Sequence, residues 1–524
     1  MNAVPLMEGA DLAAPLAWHQ GQPITRAQYL ADVRALAALL PARGPMLNIT
    51  HDRYRFAVGL GAAMQRGQNN LLPPNHTTDT VARLAALFPG AYALCDDGAA
   101  AVDLPVLRHP RFPVAAHDAD DTDDAEAGTL PCPQFAADAL AAQVLTSGST
   151  GAPVPHPKAW GLLVRNARSG AARLAQQMGR ESIKGCTIVA TVPAQHMYGF
   201  ESSVLVALVG GAAFDTERPF YPADIAAALA RAPRPRLLVT TPLHLKTLVD
   251  AGIALPQVDL IVSATAPLSP QLAARAEAAF GAPLMEIYGC TEAGQVASRR
   301  TTRGDEWQVY DGLRLSGDGE HSVVQGGHVP QPVPLADVLE VLGAQTFRLL
   351  GRANDLVNVA GKRSSLSHLN YHLNAIEGVR DGAFWLPPQS SAQGHTDGVV
   401  HGHADGVVHG HADGVVHGHA DGVVRGHADG VVRGHADGVV HGHADGVVHG
   451  HADGVVRLVA FVVAPGVSHA YLRSALRERV DPAFLPRRLI DVPALPREAT
   501  GKLPAGVLDA WAPLQLAALR ERTP

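Results

Sequence analysis

Residues 260–292 read Leu-Ile-Val-Ser-Ala-Thr-Ala-Pro-Leu-Ser-Pro-Gln-Leu-Ala-Ala-Arg-Ala-Glu-Ala-Ala-Phe-Gly-Ala-Pro-Leu-Met-Glu-Ile-Tyr-Gly-Cys-Thr-Glu. Leu260–Ser263 is a short apolar run of strand length. Pro270–Phe280 spaces its apolar residues as a helix does, and Leu284–Tyr288 is a second strand. Strand, helix and strand joined by short connections form the unit of a parallel sheet. The same alternation continues outward. Thr187–Val192 and Arg236–Thr240 read as strands and Ala223–Ala232 as a helix. Nearer the N-terminus, Thr25–Leu40 reads as a helix that Thr25 can cap, and Tyr54–Gln65 as another. The expected fold class is α/β, with a large N-terminal domain of parallel-rich sheets flanked by helices.

The 524 residues exceed one compact domain. Hydrophobic residues at 47 % and charged residues at 17 % exclude a largely disordered chain. A net charge of −7 gives no reason to expect nucleic acid as a partner. Cys95, Cys132, Cys186 and Cys290 are scattered and form no C-x-x-C pair. Neither a disulfide framework nor a structural zinc site is expected, and a reducing compartment fits. Met1–Trp18 lacks a basic start followed by an apolar run, and no stretch reaches 18 uninterrupted apolar residues. The expectation is a cytoplasmic protein without a membrane span. The acidic run Asp118–Glu126 reads as a solvated loop.

Thirteen of the 26 histidines lie between Gly394 and Arg457, in eight tandem copies of G-H-[AT]-D-G-V-V-[HR]. Strand-like Gly382–Leu386 and Leu458–Val463 flank the tract. It therefore reads as an inert, disordered loop enlarged by recent duplication between two strands, an insertion whose closure entropy is small. The alternative is a metal-binding tract, since imidazole suits zinc, nickel or copper. A calcium β-roll needs a nonapeptide period and denser acidic ligands.

Four segments carry chemistry. Thr146-Ser147-Gly148-Ser149-Thr150-Gly151-Ala152-Pro153 follows the strand-like Ala142–Leu145. Its small residues let backbone N–H groups approach a polyphosphate, and its hydroxyls add donors, although no G-K-[ST] makes it a Walker loop. Tyr288-Gly289-Cys290-Thr291-Glu292 ends a strand of the parallel sheet, where ligands bind. A Glu there can hold Mg²⁺ together with phosphate oxygens. The third segment is Gly351–Arg363, with cationic ends around an apolar middle. The fourth is Leu495–Lys502. Taken singly, each is also readable as a loop, turn or boundary strand.

In this order the four resemble the adenylate-forming (AMP-binding) superfamily of acyl- and aryl-CoA synthetases. Three more segments agree. Pro193–Phe200, containing His196-Met197-Tyr198, is similar to the family's acid-pocket motif. Ser263-Ala264-Thr265-Ala266-Pro267-Leu268 is similar to its adenine-side segment, which is usually richer in Gly. Asp337 stands where the family has its ribose-binding Asp. The resemblance implies an N-terminal adenylation domain over 1–351 and a small mobile α+β C-terminal domain over 352–524, interrupted by the insertion at 394–457. With the tract set aside, the spacing from Arg363 to Lys502 matches the family's small domain.

The resemblance further implies an AMP-forming acid–thiol ligase that uses ATP and Mg²⁺. A carboxylic acid becomes an acyl-adenylate and then a thioester of CoA or of a carrier protein's phosphopantetheine. Lys502 supplies positive charge at the reacting phosphate. Ser147, Thr150 and Thr291 hold phosphates, with Gly148, Ser149 and Gly151 completing the loop. Glu292 positions the metal. Tyr288, beside Gly289, stacks on adenine, and Ala264 and Thr265 belong to the adenine-side segment. Asp337 takes the ribose hydroxyls, Arg352 contacts ribose or phosphate, Gly361 and Arg363 line the pantetheine tunnel, and His196 faces the acid. Asn354 occupies the hinge position, where the family more often has Asp. The narrower resemblance is to bacterial ligases of aryl-polyene or xanthomonadin-type pigment pathways, which implies a hydroxybenzoate-like aryl acid.

One departure stands out. The family has Lys directly after the Pro of the phosphate loop, whereas Val154 follows Pro153 here, which leaves Lys158 or His156 as substitutes. The alternatives are an adenylating enzyme for fatty acids or for a non-thiol acceptor, and, in another class, a His-rich metal-binding protein on a vestigial ligase scaffold.

Overall fold

The computed structural model describes the chain apart from residues 1–2, 97–101, 111–130, 148–152, 318–320, 353–355, 360–361, 388–389, 498–502, 504, 522–524 and short gaps within 396–457. The chain divides into two compact units. The first is Met1–Leu335 with Glu340–Leu349, and the second is Ala336–Leu339 with Leu350–Pro524.

Nine elements of the first unit matter for function. They are β1 (Leu140–Ser147), β2 (Pro153–Ala159), α1 (Trp160–Gln177), β3 (Thr187–Ala190), β4 (Arg236–Thr240), β5 (Leu260–Ser263), α2 (Pro270–Phe280), β6 (Leu284–Cys290) and β7 (Gly294–Arg299). A large mixed sheet lines up β7, β6, β5, β4, β3, Ala213–Asp215 and Pro15–His19 in that order. From β6 to Pro15–His19 every pairing is parallel, and β7 turns back antiparallel on β6.

The two-residue period of these strands sorts their side chains into two cores. Ile188, Leu237, Val239, Leu260, Val262 and Met285 join the core on one face. Val189, Leu238, Ile261 and Leu284 join the core on the other. Both faces are covered, which is why these strands read as continuous apolar runs rather than alternating ones. Each buried Leu or Ile contributes about 1.5–3 kcal/mol of transfer free energy.

Helix α2 keeps the boundaries expected from its pattern. Ser269 Oγ accepts from the Leu272 N–H at 3.2 Å, Pro270 opens the first turn, and Gly281 ends it in the left-handed region at φ 62°.

A second sheet runs β2, β1, Asn70–Leu72, Met46–Asn48, Tyr92–Cys95 and Val106–Arg108. Strand β2 carries Pro153, Pro155 and Pro157. It sits at the sheet edge, where missing N–H donors cost no ladder bond.

In the second unit, Asp381–Trp385, Val459–Val463 and Arg488–Asp491 form a three-stranded sheet packed with helices Leu366–Asn374, His469–Arg477 and Ala505–Glu521. Asp381–Trp385 pairs antiparallel with Val459–Val463, so the tract leaves one strand and returns to its neighbour. The described strands of the tract pair among themselves. Its backbone forms two parallel four-stranded sheets. The Val-Val pairs favour extended backbone, and near-identical units let each residue pair with its own copy. No described helix is long and apolar enough to cross a membrane.

Candidate active site

The C-terminal ends of parallel strands collect the candidate residues of the first unit. Past β3 the chain runs to His196, an exposed residue that precedes a one-turn helix, Met197–Gly199. Gly199 is dictated by space, since a Cβ there would stand 2.0 Å from the Pro193 carbonyl oxygen. The Tyr198 hydroxyl lies 3.1 Å from the Thr240 carbonyl oxygen and 3.0 Å from that of Val262, tying this segment to the ends of β4 and β5. The following Phe200–Leu205 turn is a π-helix, a form concentrated at functional sites.

Past β5, Ala264 is buried and Thr265 is exposed, with φ at 80°. A β-branched residue is rarely found in this left-handed region, where the cost is about 1–3 kcal/mol. Glycine would relieve that strain, and this is the segment where the resembling family carries more glycine.

Past β6 comes the Tyr288–Glu292 segment. Its strand is anchored from beneath by Glu286, whose carboxylate accepts from Arg299 Nε and Thr301 Oγ1, each at 2.8 Å, and from the Leu268 N–H at 3.2 Å. The turn from β6 into β7 requires two glycines. A Cβ at Gly289 would approach the Gly294 carbonyl oxygen to 2.2 Å, and Gly294 itself has φ at 77°.

Tyr288 is only 8 % exposed, and its ring packs against Trp307 and Phe347, each at 5.7 Å between centroids.

Two residues of β2 join the phosphate-loop hairpin to this segment. Strands β1 and β2 pair so that Pro153 faces Ser147 and Lys158 faces Ala142. The Lys158 ammonium donates to the Thr291 and Glu292 carbonyl oxygens, the latter at 3.0 Å. His156 Nε2 lies 2.9 Å from Thr146 Oγ1 and 3.7 Å from Glu292 Oε1. Lys158, five residues beyond Pro153, is thus fixed to the backbone that presents Thr291 and Glu292.

Burial lowers the Lys158 pKa, and Glu201, Cys290 and Glu292 oppose that shift. Burial also lowers His156 and pushes the Cys290 thiol up to about 12. The Glu292 carboxylate remains 44 % exposed.

Behind Lys158 lies a cavity of about 130 Å³, lined by Asn166, Met197, Glu201, Glu292 and His328 among others. Glu201 is 3 % exposed and accepts from the Asn166 side-chain amide. Burial raises its pKa to about 8, against the pull of Lys158. Burial lowers His328 to about 4. The sequence reading did not single out Glu201, Asn166 or His328. The signal was an acid, Glu201, set beside the apolar run Ser203–Phe214.

The structure therefore brings His196, Ala264, Thr265, Tyr288, Gly289, Thr291 and Glu292 to one sheet edge, with the Ser147 backbone linked through the hairpin. Gly148, Ser149, Thr150, Gly151, Gly361, Asn354 and Lys502 lie outside the described residues. In the second unit, Asp337 begins the strand Asp337–Val341. Arg352 ends Thr346–Arg352, and Arg363 lies in Lys362–Ser365 opposite Asn358.

Comparison with known proteins agrees with this geometry. Residues 72–339 match the family model described as AMP-binding enzyme. Over 234 residues the chain is 33 % identical to a 4-coumarate–CoA ligase of Rhodobacter capsulatus, covering 45 % of this chain and 57 % of that protein. A 4-coumarate–CoA ligase of Halorhodospira halophila is 27 % identical over 236 residues, covering 45 % and 56 %. The matched region thus spans a little over half the length of these relatives.

Among solved structures, ATP-bound MatB from Rhodopseudomonas palustris superposes with a TM-score of 0.67 at 17 % identity, over 96 % of this chain and 97 % of that one. The anthranilate CoA ligase AuaEII with anthranoyl-AMP gives 0.66 at 14 %, over 98 % and 99 %. These two show the fold. With the family model matching more than half of its residues, the chain belongs to the AMP-binding enzyme family.

Proposed function

We propose that this chain is an AMP-forming acid–thiol ligase. In the first half-reaction, a carboxylate oxygen bonds to the α-phosphorus of ATP as the bond to pyrophosphate breaks. In the second, a thiol sulfur bonds to the acyl carbon as AMP leaves, and the thiol gives up its proton. No enzyme nucleophile is needed. The protein's task is to gather charge and donors around a polyanion that a second anion approaches.

The observation that carries this reading is the tie between the hairpin flanking the phosphate loop and the Thr291–Glu292 segment, made by Lys158 and His156. Glu292 suits Mg²⁺, since it offers a hard oxygen ligand that stays partly exposed on a pinned backbone. Bound there, the metal would supply charge neutralisation to the phosphates. Lys502 would act on the α-phosphate, and Ser147, Thr150 and Thr291 would donate to phosphate oxygens. Asp337 would take the ribose, Arg352 the ribose or a phosphate, and Gly361 and Arg363 the pantetheine arm.

We take the acid to be aryl, of the hydroxybenzoate type, with CoA or a carrier protein as acceptor. The His196-Met197-Tyr198 segment supports a ring. So do the relatives, named for 4-coumarate and anthranilate. Incubation with ATP, Mg²⁺, CoA and a panel of aryl and fatty acids tests this. AMP, not ADP, should accumulate in step with an aryl thioester. Thioesters of fatty acids alone would overturn the aryl assignment.

A further inference from the structure

Two polar side chains in the cavity behind Lys158, those of Asn166 and Glu201, have no part in the adenylation chemistry. Both are 3 % exposed. Leu163, Met197 and Val329 give the cavity apolar walls, and Glu292 is its exposed polar member. The cavity therefore runs from the Thr291–Glu292 segment, which Lys158 holds, to a buried amide and a buried acid.

Size selects among acids. The free volume is about 130 Å³. An apolar cavity of about 150 Å³ takes up benzene, so this one admits a single ring and not a long acyl chain.

The polar pair selects further. The Asn166 side-chain amide donates to Glu201, while Asn166 Oδ1 is buried with no partner. A buried acceptor left unpaired is costly, and a donor brought by a ligand removes that cost. Gly294 keeps the pair in place, since a Cβ there would stand 2.6 Å from Asn166 Nδ2 and 2.7 Å from Glu201 Oε1. Burial favours protonated Glu201 and neutral His328. A second carboxylate on the ligand would meet an acid and an amide oxygen, and would be desolvated without a countercharge. An uncharged donor meets an acceptor that lacks a partner.

We propose that Asn166 and Glu201 set the acid specificity of this chain by receiving an uncharged hydrogen-bond donor, a hydroxyl or an aromatic amino group, on the ring of a single-ring aryl acid whose carboxylate lies toward Thr291–Glu292. The inference rests on the ligase reading, which fixes where the carboxylate goes.

The test compares benzoate with the monohydroxybenzoates and the aminobenzoates, by AMP formation and by calorimetric binding to the full chain. The donor-bearing isomer that reaches the pair should exceed benzoate about 10- to 100-fold in kcat/KM and in affinity. The double variant Asn166→Leu with Glu201→Met removes both partners together, which a fold tolerates better than the loss of one. It should bring the ratio close to one. Glu201→Gln still accepts and donates, and should keep most of the preference. A natural chain that treats benzoate and every donor-bearing acid alike would overturn the proposal. So would a double variant that unfolds cooperatively on heating and keeps the preference. Equal AMP formation from all the acids would sink the specificity site and leave the ligase reading standing. Selective binding that the double variant abolishes, with no AMP formed from any acid, would sink the ligase reading and support the site.

Discussion

Lys158 links the sequence to the site. Its ammonium, largely buried, spends its hydrogen bonds on two backbone carbonyls, those of Thr291 and Glu292. It therefore acts as a positioning residue for the segment that presents the proposed metal ligand. Charged hydrogen bonds of this kind contribute about 1.5–3 kcal/mol. Lys158→Met should lower kcat about 10- to 100-fold, and thermal unfolding should shift far less than the rate does. A variant that loses stability but keeps its rate would contradict the role.

Glu201 gives a pH prediction. Its folded pKa, about 8, lies above its ordinary value of 4.5 because burial disfavours the charged form. Its contribution to stability is therefore present at low pH and is lost as pH rises from about 4.5 to 8. Glu201→Gln should flatten the fall in Tm across that window, which differential scanning at a series of pH values would read. An unchanged slope would show that Glu201 is already ionised there.

Helix α2 shows what the sequence states openly. Its apolar spacing, Ser269, Pro270 and Gly281 are all local signals, and the strands on either side are runs that only a doubly covered sheet explains. Thr265 was not legible in that way. Its left-handed φ follows from where β5 must release the chain, and threonine gives no sign of it. Thr265→Gly should raise unfolding stability by about 1 kcal/mol, measured by urea unfolding, whereas a loss of similar size would mean the threonine side chain makes a compensating contact. The packing of Tyr288 was not legible either, since Trp307 and Phe347, which its ring meets at an angle, are distant in sequence.

The family match places this chain among AMP-binding enzymes, and the candidate residues of its first unit gather at the ends of parallel strands. The roles of Thr291, Glu292 and Lys158 rest on contacts within the first unit. Those of Lys502 and of residues 148–152 of the phosphate loop rest on motif order alone, because they lie outside the described residues. The claim common to all of them is that the chain forms an acyl-adenylate before any thiol enters. Acid-dependent exchange of labelled pyrophosphate into ATP, run with Mg²⁺ and without thiol, measures that step directly. Exchange that requires an aryl acid and stops when Mg²⁺ is chelated is the predicted result. No exchange with any acid, from a folded chain that binds ATP, would contradict it.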